Sequence, residues 1–263
     1  MTESLVLSEV RAGIAHIILN RPLSGNALSP ETGLQLGRAM HAACDDPDVR
    51  VVVLRAAGKM FCGGGDIDVF RNPEGGLQEL LKGLLDPLHA AIHRLVTSGL
   101  PIVTVLNGPV GGGGIGIALC GDYVLAAQSM KLRGGYSAIG LSPDAASSWF
   151  LAHRAGATRA RQIFFLNEPV SAQRCLELGI VDAVYPDHEL AARADELARR
   201  LALSSTGALR RIKRLMDGMH ERTLQEHLNL ERDLILECAT SPDASEGIAA
   251  FLEKRSPVFY SAD

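Results

Sequence analysis

The chain has 263 residues, enough for one large α/β domain or for a core domain with an appendage. Its 47% hydrophobic and 21% charged residues are those of a protein that buries a sizeable core. A net charge of −4 argues against nucleic-acid binding through a basic surface, and no run approaches twenty uninterrupted apolar residues, so no membrane span is expected. The start, Met1-Thr2-Glu3-Ser4, lacks the basic-then-apolar pattern of a secretory leader. Five cysteines in irregular spacing, with no Cys-x-x-Cys, point to reduced thiols in a cytoplasmic protein. No His/Cys cluster has metal-ligand spacing. His89 and His93 stand four apart without the Glu of a zincin motif and read as a solvated helix face, so no metal is expected.

In chain order, strand-like runs at 5–10 and 14–20 are joined by Arg11-Ala12-Gly13 and predict a hairpin. Ser29-Pro30-Glu31 predicts a helix start, with a capping serine and a proline at the first helical position. Leu36, Ala39, Met40, Ala43 and Cys44 form one apolar stripe, and Asp45-Asp46-Pro47 ends the helix. A strand at 50–55 leads to the glycine-rich turn Phe61-Cys62-Gly63-Gly64-Gly65-Asp66. Residues 72–99 hold a loop, Asn72-Pro73-Glu74-Gly75-Gly76, which reads as mobile, and then a helix ending before Gly99-Leu100-Pro101. A strand at 102–107 leads to a second glycine-rich turn, Asn107-Gly108-Pro109-Val110-Gly111-Gly112-Gly113-Gly114, and another strand is expected at 123–127. Past about residue 186 the strands give out, and helical patterns cover 187–203, 205–218, 220–240 and 243–254. A helical tail this apolar must cover the core, a neighbouring subunit or both, so an oligomer is expected.

Glycine at a strand–helix junction lets the backbone approach a ligand with its N–H groups free. Two such loops meeting in space would offer one N–H each to a single oxygen, which is an oxyanion hole. The spacing Gly111-x-Gly113-x-x-Gly116 also matches a dinucleotide fingerprint, but the ribose-binding acid expected about 20 residues on is replaced by Met130-Lys131-Leu132-Arg133.

Several segments together resemble the crotonase, or enoyl-CoA hydratase/isomerase, superfamily. They are Leu19-Asn20-Arg21-Pro22 with Asn26-Ala27-Leu28, then Phe61 to Asp66, Asn107 to Asp122, and Gly140-Leu141-Ser142-Pro143-Asp144. Val170-Ser171-Ala172, Leu178-Gly179-Ile180-Val181 and the ending Glu246 to Phe259 complete them, in the family's order. The resemblance implies an α/β fold, a spiral of ββα turns over about 1–200 with a helical oligomerisation region over 201–263. It implies a homotrimer or homohexamer acting on an acyl-CoA thioester, with no separate cofactor because coenzyme A is part of the substrate.

By the same resemblance, the backbone N–H groups of Gly65 and Gly113 would hold the thioester oxygen. Arg21, Ala27, Gly63, Asp66, Ile67, Gly112 and Tyr136 would line the substrate and its coenzyme A moiety. Asp66 reads as structural, holding its loop through side chain–backbone hydrogen bonds. Arg21 and Lys59 stand where coenzyme A phosphates would be met, though a solvated surface is the default for both. The two glutamates used by the family's hydratases fall at Gly116 and Tyr136, which argues against simple hydration, since that reaction needs two proton-handling groups. A third acidic position falls at Asp144, as in the family's isomerases and aryl-CoA dehalogenases.

Asp144 also has a bland reading. With Ser142 as N-cap and Pro143 as first helical residue, it would be a dipole-complementing acid in an exposed first turn. Tyr136 reads as a pocket wall or a partner of Asp144, and Trp149 as a buried helix residue. Ser142, Ser147 and Ser148 lack a nearby histidine base or a G-x-S-x-G elbow. The leading expectation is an isomerase that shuttles a proton through an enolate. The alternatives are a hydratase, a hydrolase or dehalogenase using Asp144, or a non-catalytic acyl-CoA-binding protein.

Overall fold

The computed structural model describes residues 4–259, so the reading of Met1 to Glu3 and the outer ends of the two expected regions lie outside the described residues. Strands β1 (Val6–Arg11), β2 (Ile14–Leu19), β3 (Val51–Ala56) and β4 (Ile102–Leu106) are followed by the short β5 (Val110–Gly111). Then come β6 (Tyr123–Ala127), β7 (Lys131–Arg133), β8 (Val170–Ser171) and β9 (Ala183–Tyr185). The order β1-β2-β3-β4-β6-β9 makes a six-stranded sheet, and β5-β7-β8 makes a second of three strands. β1 and β2 form the expected antiparallel hairpin, while β2, β3, β4, β6 and β9 run parallel.

Parallel strands read as continuous apolar runs because both faces of the sheet are covered. In β3 and β4, Val52, Leu54 and Ile102 point into one core, and Val51, Val53, Val103 and Val105 into another. The first core is closed by α1 (Pro30–Asp45), α3 (Leu77–Thr97) and α4 (Gly114–Leu119), with the one-turn α2 (Ile67–Arg71) beside the first glycine loop. α1 begins as predicted, with Ser29 Oγ accepting the Thr32 N–H at 3.2 Å and Pro30 at the first position. Gly33 lets α1 and α3 touch, since a Cβ there would stand 2.5 Å from Leu84 Cδ1.

α5 (Ser147–Ala155), α6 (Ala157–Leu166) and α7 (Ala172–Glu177) continue the winding. α8 (Leu190–Ala202) closes the second core with Leu190, Ala194, Ala198, Leu201 and Ala202. The spiral of strand and helix turns with a helical C-terminal region is the fold expected. Sequence reading missed β5, β7, β8 and β9, since two- or three-residue strands carry no measurable alternation and are set by their partners.

α9 (Thr206–Met216), α10 (Leu224–Ala239) and α11 (Pro242–Glu253) form the C-terminal region. They leave Ile212, Met216, Leu224, Ile235, Leu236, Ile248, Phe251 and Leu252 exposed. Among the described residues no helix is long and apolar enough to cross a membrane. α9 is latched to the core by one buried lysine. Lys213 Nζ donates to Leu100 O at 3.1 Å and to Asp122 Oδ2 at 2.8 Å. Asp122 Oδ2 also accepts the Ile102 N–H that begins β4. Lys213→Met is expected to lower stability by about 1–3 kcal/mol, because it leaves the buried Leu100 carbonyl without its donor and the part-exposed Asp122 carboxylate without its ion pair. Urea denaturation checks this; an unchanged midpoint would show that the latch carries no stability.

Candidate active site

The two glycine loops meet. β3 and β4 are parallel neighbours, so the segments that follow them leave from the same edge of the sheet. Phe61 N–H donates to Pro109 O at 3.1 Å, and Gly111 N–H to Cys62 O at 2.9 Å. The approach tolerates no side chain, since a Cβ at Gly64 would lie 2.9 Å from Gly111 O, and Gly64 also has φ 98°. The first loop is held from below by Asn26, which is fully buried at φ 53°. Its Nδ2 donates to Ala57 O and Met60 O at 2.9 and 2.7 Å, and its Oδ1 accepts the Arg21 N–H at 2.7 Å. With these bonds made, the N–H groups of Gly65 and Gly113 donate to nothing among the described residues.

All ten site residues named from the sequence line two adjoining cavities. The outer, about 680 Å³, includes Arg21, Ala27 and Asp66. The inner, about 270 Å³, includes Gly112, Gly113, Tyr136 and Asp144. Gly63, Gly65 and Ile67 belong to both walls, so the first glycine loop is the threshold between them.

Several expected local roles are corrected. Asp66 holds its loop by an ion pair with Arg21, 2.9 Å away, and not through side chain–backbone hydrogen bonds. Arg21 is therefore committed to Asp66 and to Ala27 O, which it meets at 2.7 Å, and is not a freely solvated side chain. Lys59, by contrast, keeps its expected solvated default: it is exposed and lines neither cavity. Trp149 is 56% exposed, because it stands on the outer face of α5. Asp144 is not in a helical first turn. α5 begins only at Ser147, after Ala145 and Ala146 adopt φ 47° and 58°, and the backbone turn throws the Ala145 carbonyl towards α4.

That carbonyl fills the first of the two hydratase positions. A Cβ at Gly116 would stand 1.7 Å from Ala145 O. Gly116→Ala is accordingly expected to cost about 3 kcal/mol or more through overpacking and to displace the Asp144 loop. Thermal unfolding checks it; a melting temperature like the wild type's would mean that Ala145 yields freely.

The Asp144 carboxylate faces the second loop, since a Cβ on Gly113 would lie 2.8 Å from its Oδ1. Tyr136 Oη donates to that Oδ1 at 2.6 Å and accepts the Asp144 N–H at 3.2 Å. Burial pushes the Asp144 carboxyl above the usual aspartate value, and the Tyr136 hydrogen bond offsets part of this. Burial and the Asp144 charge push the Tyr136 phenol far above its ordinary range, so it stays a neutral donor. Sequence reading gave His89 no part here, yet its Nε2 accepts the Ala145 N–H at 3.0 Å. It weighed Ser147 only as a nucleophile, whereas its Oγ lies 3.1 Å from Tyr136 Oη. Nothing in spacing pairs residue 89 with 145, so only the fold could show it.

A carboxyl with a raised pKa favours the folded state in its neutral form. That contribution is present at low pH and is lost as pH rises through the folded-state value. Asp144→Asn, permanently neutral, is expected to be more stable than the wild type near pH 7, with the difference closing on acidification. Thermal melts at the two pH values test this; a less stable variant at neutral pH would mean that the charged carboxylate is well solvated.

Residues 9–262 match the enoyl-CoA hydratase/isomerase family model, and the chain belongs to that family of enzymes acting on coenzyme A thioesters. It is 35% identical to the 1,2-epoxyphenylacetyl-CoA isomerase of Escherichia coli, with 97% of each chain covered. A crystal structure from Mycobacterium abscessus assigned to the enoyl-CoA hydratases/isomerases superposes with a TM-score of 0.91 at 33% identity, covering 98% of this chain and 100% of that one. An enoyl-CoA hydratase from Polaromonas sp. JS666 superposes with a TM-score of 0.89 at 32% identity, covering 96% and 98%.

Proposed function

We propose that this enzyme isomerises an unsaturated or ring-epoxide acyl-CoA by moving one proton through an enolate. Asp144 takes the proton from C2, the Gly65 and Gly113 N–H groups hold the thioester oxygen as charge develops, and the resulting carboxylic acid returns the proton elsewhere. The observation that carries this reading is that, among the described residues, Asp144 is the one acid lining the inner cavity. Ala145 O excludes a second acid at Gly116, and Tyr136 occupies the other hydratase position. A single carboxylate suffices for a proton shuttle, whereas hydration needs a further group to activate water. The E. coli relative, named for the isomerisation of 1,2-epoxyphenylacetyl-CoA, supports the same reaction class. The adenosine and pantetheine parts belong in the outer cavity, beside Ala27, Gly63 and Ile67.

Asp144→Asn is expected to lower turnover by about 10²–10⁴-fold, the usual contribution of a general base, while acyl-CoA affinity stays near the wild type's. Loss of C2-proton exchange with deuterated water is the independent readout, because enolate formation precedes reprotonation. Undiminished exchange in the variant would assign the proton to another group. An aspartyl ester trapped in a single turnover would make Asp144 a nucleophile, as in a hydrolase or dehalogenase, and binding without turnover of any such thioester would make the protein a binding module.

The exposed apolar faces of α9, α10 and α11 are assigned to contacts between copies in a homotrimer or a homohexamer, since monomers rarely leave patches of this kind uncovered. Sedimentation at micromolar concentration is expected to give a multiple of three chains; a 28.0 kDa monomer would overturn the assignment. The free thiols of Cys62, Cys120 and Cys175, pushed up to about 12 by burial, fit a reducing cytoplasmic setting.

A further inference from the structure

We infer that Tyr136 and Ser147 form a hydroxyl relay that strengthens the oxyanion donor of Gly113 at the moment Asp144 becomes protonated. The inference rests on the roles proposed above for Asp144 and Gly113. Tyr136 Oη has one proton to give and three acceptors in reach: Asp144 Oδ1 at 2.6 Å, Ser147 Oγ at 3.1 Å and, longest, the Asp144 backbone carbonyl at 3.4 Å. Ser147 Oγ accepts the Gly116 N–H at 3.1 Å and donates to Gly112 O at 3.3 Å. That carbonyl and the Gly113 N–H belong to one peptide group, so a stronger bond to the oxygen makes the N–H a stronger donor.

The bookkeeping of protons gives the relay its direction. While Asp144 is a carboxylate, the better acceptor takes the Tyr136 proton, because bonds to charged oxygens are roughly twice as strong. Once Asp144 has accepted the C2 proton it is neutral, and the Tyr136 hydroxyl turns to Ser147 Oγ. Ser147 then has both lone pairs used, by Gly116 N–H and Tyr136 O–H, and its own proton stays on Gly112 O. Bonds in such a chain reinforce one another by about 10–30% each. The enolate exists only while Asp144 is protonated, so the donor is strongest when the negative charge is there to be held. Ser147 is fully buried and Tyr136 nearly so, which keeps water from replacing either link.

The other titratable or charged groups around Asp144 are His89 of α3, Cys62 under the first loop and Arg133 across the cavity. Arg133 is committed through its Nε to Asn167 O at 2.8 Å. A test must therefore separate Asp144 from His89. Butyryl-CoA carrying ¹³C at the thioester carbonyl is the probe, bound to the intact protein and followed by difference infrared spectroscopy across pH.

In the wild type the carbonyl band is expected to move to lower frequency on binding, and further as Asp144 is protonated. Tyr136→Phe and Ser147→Ala, both close in shape to the residues they replace, should keep the binding shift and lose at least half of the pH-dependent part. The double variant should lose no more than the single variants do. Asp144→Asn should hold the band near its low-pH position throughout; movement with pH in that variant would make His89 the source and overturn the relay. An equal pH response in wild type, Tyr136→Phe and Ser147→Ala would also overturn it, with the oxyanion hole intact. No shift on binding at all would remove the oxyanion reading and the relay together. In turnover, each single variant should lower kcat about twofold with KM little changed, the relay adding about 10–30% to one hydrogen bond, and the double variant should match the worse single. Losses that multiply in the double variant would mean that Tyr136 and Ser147 act separately.

Discussion

Phe61 N–H on Pro109 O and Gly111 N–H on Cys62 O join two loops that are far apart in the chain, and the site is organised around that joint. It exists only because side chains are missing where the backbones cross. A Cβ at Gly108 would stand 2.0 Å from Lys59 O, and one at Gly114 would stand 2.7 Å from Cys62 O. The sheet supplies the other half of the constraint. Adjacent parallel β3 and β4 deliver both loops to one edge, so short backbone bonds suffice to seal them. Asn26 and the Arg21–Asp66 pair then hold the first loop from outside, and the β5-β7 pairing holds the second.

The same crowding shapes the inner cavity. Ala145 O occupies the volume in front of Gly116, so the helix that carries the second loop brings no acid into the cavity. Asp144 is left alone with Tyr136, in a site where burial raises its pKa and one short hydrogen bond pulls it back. The proton shuttle proposed above asks one carboxyl to exchange a proton in such a setting. A structure that keeps a carboxylate partly desolvated gives up stability at neutral pH, a familiar exchange at functional sites.

The C-terminal helices show a second, weaker dependence. α8 is part of the core, and α9 reaches it through Leu209 and Lys213, while α10 and α11 bury Leu234 and Ala250 and leave most of their larger apolar side chains exposed. Hydrophobic surface of this extent is costly to leave in water, and the oligomer proposed above would cover it. Asp122 links this region to the sheet, since one of its oxygens serves both Lys213 and the first N–H of β4.

Local pattern by itself determined the long elements. Val51 to Leu54 and Ile102 to Leu106 are continuous apolar runs, and Ser29-Pro30 followed by the Leu36–Cys44 stripe is a helix with its start marked; each such signal is a local free-energy preference that survives in the fold. The glycine loops were legible as strand–helix junctions, whereas Asp144 was singled out through the family resemblance and carried a competing reading as a first-turn acid. Tertiary structure alone decided the rest. It delayed α5 to Ser147 by forcing Ala145 and Ala146 into positive φ, exposed Trp149, paired Arg21 with Asp66, and brought His89 to Ala145. It also set Tyr136 and Ser147 between the acid and the Gly112–Gly113 peptide. These are contacts between residues 8 to 56 positions apart, and their energies depend on distances that no local pattern encodes.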